Sequence, residues 1–203
     1  MRRASRRGDA PARLRAALAA CLVVACASPG LVAGARAQRR DASRPASTGP
    51  RLKIVGGGRN VALVERGRAY TLALGEKVGA ARIEEAKLLF VAGRGEFTYL
   101  LLDVCGLSKR TPDDRMCGAG QECNLIWVKL DRRRKVSEAR SELYESCWLP
   151  LSSENGPEIA GRRVLLRVED LREWVRREVG YDADRPEEGL TVKSAPMPGP
   201  RPE

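Results

Sequence analysis

Between residues 97 and 148 apolar and polar positions alternate with a period of two, and the rest of the chain is arranged around that stretch. In 97–104, Leu100, Leu102 and Val104 fall on one face, with Tyr99, Leu101 and Asp103 on the other. Residues 124–130 repeat the pattern, with Ile126, Val128 and Leu130 opposite Leu125, Trp127 and Lys129. Such alternation predicts strands. After a charged tip, Asp131-Arg132-Arg133-Arg134-Lys135, a more polar strand follows over 136–146, with Ala139 and Leu143 on one face and Tyr144 on the other. Successive strands joined in this way predict an antiparallel meander. Tyr99, Leu101, Leu125 and Trp127 make its second face apolar too, and such a face must be covered, by the N-terminal strands or by a C-terminal helix.

The flanks supply those elements. Residues 52–64 read as a strand broken by Gly56-Gly57-Gly58, and 68–74 alternate through Tyr70, Leu72 and Leu74. A glycine run inside a strand marks a bulge or tight turn. The segment 80–92 has helical propensity, but Gly93-Arg94-Gly95-Glu96 reads as a hairpin turn, which predicts a strand at 86–92. Residues 162–168 are a further strand. Asp170 followed by Glu173 forms a capping pattern, and Leu171, Trp174, Val175 and Val179 have helical spacing, predicting a helix over 170–179 ended by Gly180. A strand is the rival there, since Leu171, Val175, Val179 and Tyr181 also share parity. Residues 190–193 suit a last edge strand. The fold class expected is mainly β: an antiparallel meander forming a sandwich or rolled sheet, stapled at one end, with one short C-terminal helix; α+β is the alternative.

The staple is cysteine. The first central strand ends at Cys105, the second starts after Cys123, and the third finishes at Cys147, so these residues and Cys117 of the intervening loop should meet at one end of the sheet. Bridging requires Cα atoms about 4.4–6.8 Å apart. Cys105 is expected to pair with Cys117 or Cys123, the remaining cysteine tying to Cys147. A four-thiolate zinc site fits poorly, because the spacings of eleven, five and twenty-three intervening residues contain no short CxxC pair. No cofactor and no metal is expected.

The N-terminus says where such cysteines would oxidise. Arginines crowd residues 1–15, an apolar run extends from Ala16 to Ala27, and Ala35-Arg36-Ala37 precedes Gln38. A basic region, a short apolar region and a small-x-small site predict a signal peptide over 1–37. Alternatively, Val23-Val24-Ala25-Cys26 resembles the lipobox of bacterial lipoproteins, which implies a signal over 1–25 and lipidation at Cys26; Val23 stands where that family more often has Leu. Export to an oxidising compartment, periplasmic or extracellular, follows from either. Residues 38–50 read as a flexible linker, 51–193 as a single β-rich domain, and 194–203 as a disordered Pro-rich tail.

Charge then changes the picture less than its total suggests. Of the chain's net +11, residues 1–37 hold seven arginines against one aspartate, a net of +6. The remaining bases are interspersed with acids, which argues against a nucleic-acid partner. The chain has no histidine, which excludes His-based nucleophile activation, His general bases and His-ligated metals.

What chemistry remains is sparse. Asp103, Glu122 and Glu145 lie beside cysteines and could pair for glycoside cleavage, which needs carboxyls roughly 5–10 Å apart; ordinary strand-end acids facing arginines are the plainer reading. Asp182, Asp184, Glu187 and Glu188 form an acidic turn without EF-hand spacing. Tyr99, Trp127 and Tyr144 fall on one face and form a candidate binding patch, or else a second core layer. The basic tip 132–135 suits anionic headgroups or wall polymers, or is simply solvated. The functional expectation is an exported protein of bacterial type acting as a non-catalytic binding or accessory module of the cell envelope. A carboxylate-dependent envelope hydrolase and a purely structural domain are the alternatives. The expected partner is an envelope protein or glycan, with membrane contact only through a lipid on Cys26.

Overall fold

The computed structural model describes residues 49–109 and 120–199. The leader, Cys26, the linker up to Ser47 and Thr48, Cys117 and the last four residues lie outside that set. Among the described residues twelve strands run in chain order: β1 (Arg51–Val55), β2 (Asn60–Glu65), β3 (Arg68–Leu72), β4 (Arg82–Arg94), β5 (Phe97–Leu107), β6 (Gln121–Leu130), β7 (Val136–Ser146), β8 (Leu151–Ser152), β9 (Glu158–Ala160), β10 (Arg163–Asp170), β11 (Val175–Asp182) and β12 (Thr191–Pro196). One short helix, α1 (Gly75–Val78), links β3 to β4.

The strands make three antiparallel sheets, ordered β1-β2-β3, β4-β5-β6-β7, and β12-β11-β10-β8 with β9 beside β10. The middle sheet is apolar on both faces, and each face is covered. Leu100, Leu102, Val104, Ile126, Val128 and Leu130 pack with Val61, Leu63, Leu72 and Leu74 of the N-terminal sheet. Tyr99, Leu101, Leu125 and Trp127 pack with Val164, Leu166, Val168, Val179 and Tyr181 of the C-terminal sheet. The period-two alternation of β5 and β6 thus divides two cores, as their sequence predicts.

Three details differ from the sequence reading. No helix forms over 170–179. Asp170 does cap, its Oδ1 accepting the N–H groups of Arg172 and Glu173 at 3.1 and 3.0 Å, but what it caps is a turn. Trp174 adopts a left-handed backbone (φ 57°), and Val175–Asp182 then pairs along β10, Val179 opposite Leu166 and Tyr181 opposite Val164. The parity reading wins because β10 offers a full ladder and an apolar face, which outweigh local helical propensity. Second, β7 carries a bulge: Cys123 faces Glu145 while Asn124 faces Leu143. Leu143 therefore packs against the same core as Tyr144, where simple alternation separates them. Third, β12 continues through Ser194 and Ala195 to Pro196, paired with β11, beyond the expected start of the tail.

The glycine run needs its glycines. Gly58 has φ 88°, and a Cβ there would lie 2.9 Å from the Ile83 carbonyl oxygen. The turn between β1 and β2 can therefore press against β4 only without a side chain.

Candidate functional site

The cysteine end behaves as the strand order requires. Cys105 and Cys123 lie directly opposite each other on β5 and β6, their Cα atoms 4.1 Å apart, and are bridged. Cys147 is also disulfide-bonded, and Cys117 falls outside the described residues. Gly120 packs so closely on Cys147 that a Cβ would overlap its side chain.

Two of the acids near this cystine, Asp103 and Glu122, serve the fold. Asp103 is buried, and Tyr144 donates its hydroxyl to Asp103 Oδ1 at 2.7 Å. Burial pushes the Asp103 carboxyl above its ordinary range, while Tyr144 and Lys87 pull it back. The same burial and the adjacent carboxylate raise the Tyr144 phenol far above its usual value. Glu122 belongs to the opposite face of the sheet by strand parity, and accepts from Ser108 Oγ at 2.7 Å and from the Cys147 N–H at 3.2 Å. Glu145 is exposed. Asp103 and Glu122 therefore do not flank a common cleft.

The aromatic row is not a surface. Tyr99, Trp127 and Tyr144 are 3%, 1% and 4% exposed, because the C-terminal sheet closes over them. Tyr99 stacks on Trp127 at 5.8 Å between centroids, and Trp127 Nε1 donates to the Pro186 carbonyl at 2.8 Å. They are the second core layer and form no surface patch. The acidic turn is likewise neutralised: Asp182 faces Arg163 and Arg185 at 3.3 and 3.5 Å, and Glu188 faces Arg185 at 2.9 Å. The Asp184 N–H first, then these arginines, hold the Asp182 carboxyl below its ordinary range. Among the described residues no three His, Cys, Asp or Glu side chains gather as a metal would need.

The basic tip has a different fate. At the end away from the cystine, the β6–β7 turn meets the β2–β3 turn, and between them opens a cleft of about 540 Å³ lined by Glu65, Arg66, Arg68, Tyr70, Arg132 and Arg134. A second hollow continues past Tyr70 along Thr71 and Ala73 to Arg133, Lys135 and Val136. Arg134 is the strut: its guanidinium binds Thr98 Oγ1 and pairs with Glu65 at 2.7 Å. Asp131 holds the tip by accepting the N–H groups of Arg133 and Lys135, both at 2.8 Å. Arg132 pairs with Glu96 at 3.2 Å. Arg66, Arg68, Arg133 and Lys135 are exposed and have no ion pair among the described residues.

Two of these arginines occupy backbone that disfavours them. Arg66 (φ 49°) and Gly67 (φ 76°) form a two-residue hairpin loop, and Arg134 has φ 61°. At such positions Gly or Asn is the easy choice, and another side chain costs about 1 kcal/mol or more. Both exceptions line the same cleft. The sequence reading found 132–135 but missed Arg66, Arg68 and Tyr70. The missed signal was Arg66-Gly67 between two alternating runs, a hairpin mark that places these bases at a sheet end. Which other turn shares that end is a matter of sheet packing.

No protein-family model matches the chain, and no curated protein and no solved structure is significantly similar to it. The cystine is compatible with an oxidising, exported compartment. Among the described residues no helix is long and apolar enough to cross a membrane.

Proposed function

We propose that the chain is an exported, non-catalytic binding module of the cell envelope, and that its ligand is a polyanion held in the cleft between the β2–β3 and β6–β7 turns. One observation carries this reading: four arginines and a tyrosine line one cleft against a single glutamate, and two of those arginines are kept where the backbone favours Gly or Asn. Guanidinium groups are flat, permanently charged forks suited to phosphate and carboxylate oxygens. Two of the three carboxylates that a hydrolase could use, Asp103 and Glu122, are engaged with Tyr144, Ser108 and the backbone instead.

Titration with inorganic tripolyphosphate at low salt tests it. Binding should be saturable, weaken as salt rises, and fall in the Arg66→Asn variant. A flat titration at low salt, or equal affinity in the variant, removes the reading. Recovery of the protein from culture fractions, with intact mass taken with and without reductant, tests export, the leader cleavage site and any lipid on Cys26.

A further inference from the structure

The basic cleft belongs to a whole end of the molecule. The β2–β3 loop (Arg66, Gly67), the β4–β5 loop (Gly95, Glu96) and the β6–β7 tip converge there, linked through Arg134 to Glu65 and Thr98 and through Arg132 to Glu96. The chain also enters the fold at this end. Arg51, the first residue of β1, sits opposite Val64, the neighbour of Glu65. The linker sequence that leads into it holds Arg39, Arg40 and Arg44 against Asp41 alone. The cystine lies at the other end of β5 and β6.

We propose that this end is a membrane-facing surface that seats on anionic phospholipid headgroups. The proposal rests on the anion-binding reading of the cleft and names its occupant. It goes beyond the expectation that membrane contact runs only through a lipid on Cys26. Charge complementarity carries it: Arg66, Arg68, Arg133 and Lys135 are exposed and have no ion pair among the described residues, and each basic group near an anionic surface strengthens attachment. Tyr70 at the rim has the amphipathic ring suited to a headgroup layer. A single acyl chain attaches only reversibly, and a basic patch is the second contact that makes attachment stable.

The test measures partitioning of the full chain onto vesicles containing phosphatidylglycerol and onto pure phosphatidylcholine. The variant Arg66→Ala/Arg68→Ala/Arg132→Ala/Arg133→Ala alters the basic end. A control with four alanines at Arg162, Arg163, Arg167 and Arg176 removes equal charge from exposed positions of the C-terminal sheet. All carry the same N-terminal residues, so differences isolate the folded surface. At roughly fivefold per basic residue, discounted because they need not all touch at once, the first variant should bind phosphatidylglycerol vesicles at least about tenfold more weakly. The control should match the wild type, and phosphatidylcholine should show no such difference. If the fourfold variant fails to fold, Arg66→Ala and Arg133→Ala singly should each weaken binding several-fold. Equal loss in the control would mean that only net charge matters and would overturn the proposal. Tripolyphosphate binding that depends on Arg66, with vesicle binding that does not, overturns the membrane assignment and leaves the anion site standing. Loss of both removes both.

Discussion

Replacing Arg66 by Asn should make the protein more stable and a worse binder. Arg66 and Gly67 form the whole loop between Glu65 and Arg68, which are paired across the hairpin, and both loop residues have positive φ. That geometry favours Asn-Gly. An ordinary L-residue in the left-handed region costs about 1–2 kcal/mol, of which Asn recovers a part through its short polar side chain. The Arg66 side chain is exposed and lacks an ion pair among the described residues, so little is lost in return. Removing it also relieves repulsion from Arg68, Arg132 and Arg134 around the cleft. A gain of about 0.5–1 kcal/mol is expected. Urea unfolding should therefore show a higher midpoint with an unchanged slope, while tripolyphosphate affinity falls. A variant less stable than wild type would refute the backbone argument. A variant with full affinity would refute the role of the cleft.

The remaining predictions concern the fold that carries the site. Tyr144→Phe leaves the buried Asp103 carboxylate without its hydroxyl donor, and should cost about 1.5–3 kcal/mol at neutral pH and less in acid, where the carboxyl is protonated; urea unfolding at both pH values checks it, and an equal cost at both would sink it. Because burial raises the Asp103 carboxyl above its ordinary 3.8, the folded state keeps that proton to higher pH than the unfolded chain. Its stability contribution is therefore lost as pH climbs from about 4 through the raised value. Asp103→Asn should flatten that decline. Replacing Cys105 and Cys123 by Ala opens a crosslink of sequence separation 18 and should cost about 3 kcal/mol in chain entropy, read as a lower urea midpoint. Trp127→Ala, at a site 1% exposed with a ring stack and a hydrogen bond to Pro186, should cost about 3–5 kcal/mol and show as a loss of cooperative unfolding near room temperature.

By itself the sequence determined the central strands β5 and β6 and their faces. Period-two alternation in β5 and β6 is strong because both faces of the middle sheet are buried, so every position is either one core or the other. It also placed Cys105, Cys123 and Cys147 at one end, since that follows from antiparallel order alone. Tertiary structure decided the rest wherever a local signal was double-valued. The spacing over residues 170–179 predicts a helix with a strand as the rival, and the apolar face of β10 chose the strand for Val175 to Tyr181. Tyr99, Trp127 and Tyr144 suited a surface or a core, and the C-terminal sheet made them core. The bulge at Tyr144 has no pattern that alternation can reveal. The basic cleft is the clearest case. Arg66 and Arg134 are 68 positions apart in the chain, and only the stacking of one sheet on another, driven by apolar burial that ignores where the charges lie, brings their turns to the same end.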